Sequence, residues 1–334
     1  APLFRPLLFW TEWNHKTVTA KTETPDQRER HTNERLMHWA SVASLTVALL
    51  LISIKSVAWW YTGSVALLTS LADSFLDAFA SLITFYSVRQ SLMPADDEHR
   101  FGHGKAEALG AIAQAGIISV SAAFIALQAV ESILMPKEVS HGDLGIGVIV
   151  FSILLTFALT RFQTYVARKS GSLAIKADSL HYTSDLLMNL AVIVALVLAQ
   201  YAALPLADPL IALGIAFWLL FSAYRVGYES LSMLMDKELP DEQRQEIIQL
   251  IRCHAEVLGF HDLKTRQSGR DVFIQLHLDL DGSLTLDAAW LVGEAVEARL
   301  KEAFPLAEIT IKKDPAGVQE SRAFVADDPG ELGS

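Results

Sequence analysis

The sequence predicts an all-α transmembrane domain of six helices followed by a small α+β domain on the cytoplasmic side. Three observations carry this. Apolar residues make up 51% of the 334 residues. They gather in long runs such as Leu45–Ile54, Ala106–Leu134 and Leu186–Leu198, with too few charges for helices that face water. From Asp236 to the end the composition changes to 20 acidic and 11 basic residues, so this segment carries −9 of the net charge of −11. The lone Cys253 excludes a disulfide scaffold or a thiolate metal cluster. The aliphatic content excludes a disordered chain, and the acidic balance argues against nucleic acid as a partner.

Residues 1–35 read as a polar N-terminal arm. Ala1–Trp10 holds two prolines and Arg5, unlike a secretory leader, and the initial Ala with the final Gly333-Ser334 reads as a trimmed chain. Within a transport domain at 36–236, six stretches reach the roughly 20 apolar residues a bilayer requires: about 37–61, 64–90, 106–134, 143–168, 173–201 and 206–235. Short connections at Tyr61-Thr62-Gly63 and around Pro205 make the first and last pairs antiparallel hairpins. Arg89, Arg100 and Lys105 lie in one loop and Arg168, Lys169 and Lys176 in another, whereas the opposite face has only Lys137. The excess of positive charge places those loops, and with them both termini, in the cytoplasm.

The segment 237–315 reads as α-β-β-α-β. Pro240-Asp241 opens a helix over Asp241–His254; strands follow at Phe260–Arg266 and Asp271–Asp281 across the Ser268-Gly269 turn. The second strand alternates, with Val272, Ile274, Leu276, Leu278 and Leu280 on one face. Leu286–Ala303 is a helix, Glu308–Lys312 a third strand, and 316–334 a flexible tail.

Ionisable residues at lipid depth are costly and mark a site or pathway by default. Span two carries Asp73 and Asp77 at i, i+4, in a polar stripe with Ser70, Ser74 and Ser81. Span five carries Asp178, His181 and Asp185, with Asn189 a turn further on. Facing each other, Asp73/Asp77 and His181/Asp185 form a cage of three carboxylates and one imidazole. Like charges so close cannot all ionise in a dry site unless a divalent cation or protons relieve them. One nitrogen and three oxygens suit Zn²⁺, and less selectively Cd²⁺, Fe²⁺, Co²⁺ or Mn²⁺, better than Mg²⁺. Metal binds the deprotonated ligands and so displaces protons, which is the chemistry of an antiporter. The alternative is that these side chains only glue a polar bundle core.

The segments LADSFLDAFASL (71–82), PADDEHRFGHGKAEAL (94–109), ADSLHYTSD (177–185) and HDLKTRQSG (261–269) resemble the cation diffusion facilitators, in particular their bacterial zinc and ferrous-iron efflux branch. The resemblance runs from about residue 36 to 315. It implies a homodimer in the bacterial inner membrane whose cytoplasmic domain has a ferredoxin-like, metallochaperone-like fold. It also implies export of divalent metal from the cytoplasm, Zn²⁺ first with Fe²⁺ or Cd²⁺ as alternatives, with protons as counter-substrate and no resident cofactor or enzymatic activity. Asp73, Asp77, His181 and Asp185 match the family's transport site, with His181 the proton carrier.

The resemblance further implies a peripheral metal site at Asp96, His99 and His103, and an interlock between membrane and cytoplasmic parts at Lys105 and Asp236. By spacing alone the loop histidines are equally read as solvated. In the cytoplasmic domain His261, His277 and Asp314 match family ligand positions, but Lys312 and Trp290 stand where further ligands are expected. A lysine ammonium there repels a dication, so one site of reduced affinity, or none, is expected. Two rivals to the antiporter remain at this point: a membrane-anchored metal sensor signalling through the acidic domain, and a passive cation channel.

Overall fold

A computed structural model describes residues 25–63, 65–134, 146–202 and 207–317. The expectations for the first 24 residues, Lys137, the Pro205 turn and residues 318–334 lie outside the described residues. Helices α1 (Pro25–Thr62), α2 (Val65–Ser91), α3 (Ala106–Leu134), α4 (Ile146–Ser170), α5 (Leu173–Ala202) and α6 (Ala207–Leu234) precede α7 (Asp241–Arg252), β1 (Gly259–Ser268), β2 (Asp271–Leu280), α8 (Leu286–Ala303) and β3 (Glu308–Pro315). The α-β-β-α-β order of the second part is as the hydrophobic pattern predicts.

Among the described residues, five stretches are long and apolar enough to cross a membrane: Gln27–Tyr61, Ser70–Ser91, Ala106–Leu134, Val150–Ser170 and Pro209–Leu234. The helix bearing His181, α5, packs against α3, α4 and α6 and touches α2. Large apolar side chains such as Phe75, Phe79, Phe124, Leu127, Phe217 and Phe221 point away from the bundle. In water such a surface would aggregate, whereas in lipid it needs no partner. The bundle interior is instead built of small and polar residues. Ala111, Ala115, Ala122 and Ala223 let α3 and α6 approach closely, and hydroxyls and amides bridge the helices. Ser44 of α1 bonds Ser81 of α2 at 2.8 Å, and Ser81 bonds the Tyr182 hydroxyl of α5 at 2.7 Å.

Helix α1 begins at Pro25, so the last eleven residues of the stretch expected as a polar arm are helical. They are held from outside the bundle: Arg30 pairs with Asp271 at 2.7 Å, and Arg270 with Glu34 at 2.7 Å, both reaching the β1–β2 turn.

The sheet order is β1-β2-β3, with β1 and β2 antiparallel and β2 and β3 parallel. Ile274, Leu276, Leu278 and Leu280 of β2 face a core closed by Ile247, Ile248 and Ile251 of α7 and Val292, Val296 and Leu300 of α8. Thr285 caps α8, its hydroxyl accepting the Ala288 N–H at 3.2 Å. The other sheet face carries His277 and Asp279. Register sets His261 opposite His277, His277 beside Lys312, and Asp279 beside Asp314.

Candidate metal sites

Helical spacing puts Asp77 and His181 at the α2–α5 contact, and there His181 Nε2 lies 3.1 Å from Asp77 Oδ1. Asp185, one turn further along α5, offers a third ligand atom, and the three atoms lie within 4.8 Å of one another. His181 is buried, while Asp77 and Asp185 are half-buried. Tetrahedral zinc has bonds of about 2.0–2.2 Å to nitrogen and oxygen, so a modest inward closure would bring all three into coordination. Asp73 stands one turn before Asp77, is exposed, and is outside this converging set.

Asp178, on the same sequence stripe as His181, serves another environment. It is fully buried, and its carboxylate accepts the side-chain amides of Gln163 at 2.5 Å and Gln114 at 3.2 Å. Gln114 also donates to the Ala80 carbonyl and Thr84 hydroxyl at 2.8 Å each. Sequence spacing groups Asp178 with the ligands; the two glutamines on α3 and α4 show it to be bonded into the bundle.

A charge that sequence reasoning missed is Lys55 of α1. Its ammonium donates to the Ser74 hydroxyl at 2.7 Å and the Ser70 carbonyl at 3.1 Å. It also interacts electrostatically with Asp77, Asp73 and Asp185. The available signal was a lysine six residues before the end of a bilayer-spanning stretch.

The second set lies on the loop between α2 and α3, with Asp96 Oδ1 3.3 Å from His99 Nδ1 and Asp96 Oδ2 3.5 Å from His103 Nε2. The loop curls through its own hydrogen bonds: Asp96 accepts the backbone N–H groups of His99 at 2.6 Å and Glu98 at 3.0 Å. These amide donors hold the Asp96 carboxyl below the usual range. The ionised carboxylate faces two imidazoles whose ring centres are 4.5 Å apart, and His103 is nearly buried.

In the cytoplasmic domain His277 Nδ1 lies 2.8 Å and His261 Nε2 3.6 Å from Asp314 Oδ2. Asp279 adds a carboxylate 3.0 Å from His261 Nδ1. Strand alternation could have found Asp279, since it shares the face of His277. Lys312 reaches the same acid, with its ammonium 3.3 Å from Asp314 Oδ1. Trp290 of α8 is exposed.

Between the two parts, Lys105 Nζ is 2.8 Å from Asp236 Oδ1, and Arg266 approaches the same oxygen at 3.2 Å. Burial pushes the Asp236 carboxyl up, but these two cations outweigh it and hold it below the carboxylate range. Arg266 also lies over the rings of Phe101 and Phe273, 4.7 and 4.6 Å from their centres. The loop bearing the second set is thereby seated on the sheet.

A lipid-facing helical bundle with two acids and one imidazole converging inside it, joined to a small α+β domain, defines a membrane transporter of cations. The family model for the cation efflux transmembrane domain matches residues 41–235, and that for the cation efflux protein cytoplasmic domain matches 239–316. The chain is 47% identical to the cation-efflux pump FieF of Salmonella arizonae over 284 residues, 85% of this chain and 94% of that one. It is 47% identical to FieF of Cronobacter sakazakii over 288 residues, 86% of this chain and 96% of that one. A solved chain of CzrB in its zinc form, 32% identical, covers 25% of this chain and is itself 98% covered, at a TM-score of 0.23. The chain belongs to the cation efflux family. It is a membrane-embedded cation-efflux pump with a dimerisation domain, and not an enzyme.

Proposed function

We propose that this pump exports a divalent transition metal, Zn²⁺ first and Fe²⁺ or Cd²⁺ next, from the bacterial cytoplasm in exchange for protons. The transport site is Asp77, His181 and Asp185, completed by Asp73. The carrying observation is the 3.1 Å approach of His181 Nε2 to Asp77 between two membrane helices, with Asp185 beside them. The transport domain is 36–236 and the dimerising domain 237–315, with both termini cytoplasmic in the inner membrane.

The metal enters between α2 and α5 from the cytoplasm and replaces protons on His181 and the carboxylates. Imidazole, with a reference pKa of about 6.5, changes charge nearest to working pH and is the natural proton carrier. Rocking exposes the loaded site to the outside, where lower metal and higher proton concentrations favour release and reprotonation. Asp96, His99 and His103 form a peripheral site that influences the loop. His261, His277 and Asp314 form a weak cytoplasmic site, and Lys105 and Asp236 interlock the two parts.

The test is metal uptake into inverted vesicles with a fluorescent zinc reporter. Asp77→Ala and His181→Ala should each lower the rate more than tenfold while the dimer persists. Replacing His99 or His103 should slow it far less. Uptake retained in Asp77→Ala would overturn the site, and uptake indifferent to an imposed pH gradient would overturn the exchange.

A further inference from the structure

Lys55 is a fixed positive charge inside a bilayer-spanning helix, pointing at the helix that carries the acids. Its ammonium is anchored by the Ser74 hydroxyl at 2.7 Å and the Ser70 carbonyl at 3.1 Å, both on α2. Ser74 is fully buried, one residue after Asp73 and three before Asp77. The lysine interacts electrostatically with Asp77, Asp73 and Asp185. Ammonium and carboxylates thus share one electrostatic site, although Lys55 is not a metal ligand.

The charge count gives this placement a consequence. Ionised Asp73, Asp77 and Asp185 with one ammonium leave two negative charges, which one dication cancels. Without the lysine the loaded site would keep a net negative charge while crossing a medium in which uncompensated charge is expensive. The missing repulsion would also let the dication bind more tightly. We propose that Lys55 is a built-in counter-ion of the transport site, a positioning residue that makes the metal-loaded site neutral and keeps its grip on the dication loose enough for release. This inference rests on the reading of Asp77, His181 and Asp185 as the transport site. A lysine that only reached for interfacial water would cover apolar surface with its stem and leave zinc handling untouched.

The experiment measures zinc transport by the full chain in proteoliposomes, with KM and kcat obtained separately and the dimer verified by size exclusion. Lys55→Gln should lower KM for Zn²⁺ about tenfold or more and lower kcat by a similar factor, because tighter binding slows release. Lys55→Arg, which keeps the charge, should stay within about threefold of the parent. Ser74→Ala removes the anchoring hydroxyl and should shift KM in the same direction by a smaller factor, which keeps the test alive if Lys55→Gln fails to assemble. KM and kcat of Lys55→Gln within twofold of the parent would overturn the proposal, as would a raised KM. Asp77→Ala runs alongside: if it transports normally, the site reading itself fails. If it is inactive while Lys55→Gln is unchanged, only the counter-ion inference fails.

Discussion

Among the described residues, two that are not glycine hold a left-handed backbone, Asp236 and Asp262, each with φ of 53°. Aspartate tolerates this region better than most residues, yet it remains an uncommon conformation that concentrates at working positions. Asp262 sits at the irregularity in β1 between His261 and Lys264, and the bulge turns its carboxylate toward the His277 side. Asp236 lies two residues past the end of α6 and accepts Lys105 and Arg266. Because its folded pKa is depressed, the stability it contributes is complete above the unfolded value of about 3.9 and is lost as pH falls through the lower folded value. Between pH 5 and 8 this interlock is therefore constant. Asparagine also accepts the left-handed conformation, so Asp236→Asn isolates the charge. With the side chain 43% exposed, solvent screening limits the loss to about 1 kcal/mol at pH 7. Thermal denaturation in detergent should show that difference at pH 7 and a progressively smaller one as pH falls below about 3.9; a difference undiminished by acid would refute the electrostatic account.

At the scale of elements, the β1–β2 turn and the start of α3 meet backbone to backbone. A Cβ at Gly104 would lie 2.3 Å from the Ser268 carbonyl oxygen, and one at Gly269 would lie 2.9 Å from the Gly104 Cα. Gly269 also has φ of 62°, which a side chain resists. Gly104 follows His103 directly, so the loop set is one residue from this seat. Gly104→Ala should separate turn and loop at a cost of about 1–3 kcal/mol, the usual scale of overpacking. Limited proteolysis should then cut faster between α6 and α7 while α1–α6 stay inserted; an unchanged cleavage rate would mean the seat is not holding the two parts. This contact also shows what a sequence conceals. The alternation in β2 and the i, i+4 pairs are local patterns; the sheet follows the first, and of the four residues the second singles out, Asp77, His181 and Asp185 lie within 4.8 Å of one another while Asp73 stays apart. The Lys55–Ser74 bond, the Gln114 and Gln163 amides on Asp178, and the helical start of α1 at Pro25 depend on partners far away in the chain. No periodicity records them, and a lone lysine near a span's end reads as a snorkelling charge.

Over the whole molecule, charge links the membrane helices to the cytoplasmic domain at two separate places, Arg30 and Glu34 with Arg270 and Asp271, and Lys105 with Asp236 and Arg266. Phe101 of the loop also meets Phe273 of the sheet edge-on, ring centres 5.6 Å apart. A change in the sheet can thus be felt by α1 and by the loop. The sheet's own candidate site already contains a cation, because Lys312 Nζ stands 3.3 Å from the Asp314 oxygen that is not facing His277. That ammonium compensates the acid without metal and repels an arriving dication. The parallel register of β2 and β3 sets position 312 directly beside His277, so an imidazole there would add a ligand to His261, His277 and Asp314. Lys312→His in the full chain should therefore raise zinc affinity at this site by at least tenfold, roughly 1.4 kcal/mol, a modest figure because the lysine side chain is 49% exposed and its charge is partly screened. Calorimetric titration in a Lys312→His chain that also carries Asp77→Ala and His103→Ala would isolate the cytoplasmic site from the other two. An isotherm unchanged by the histidine would mean that the lysine is not what weakens metal binding there.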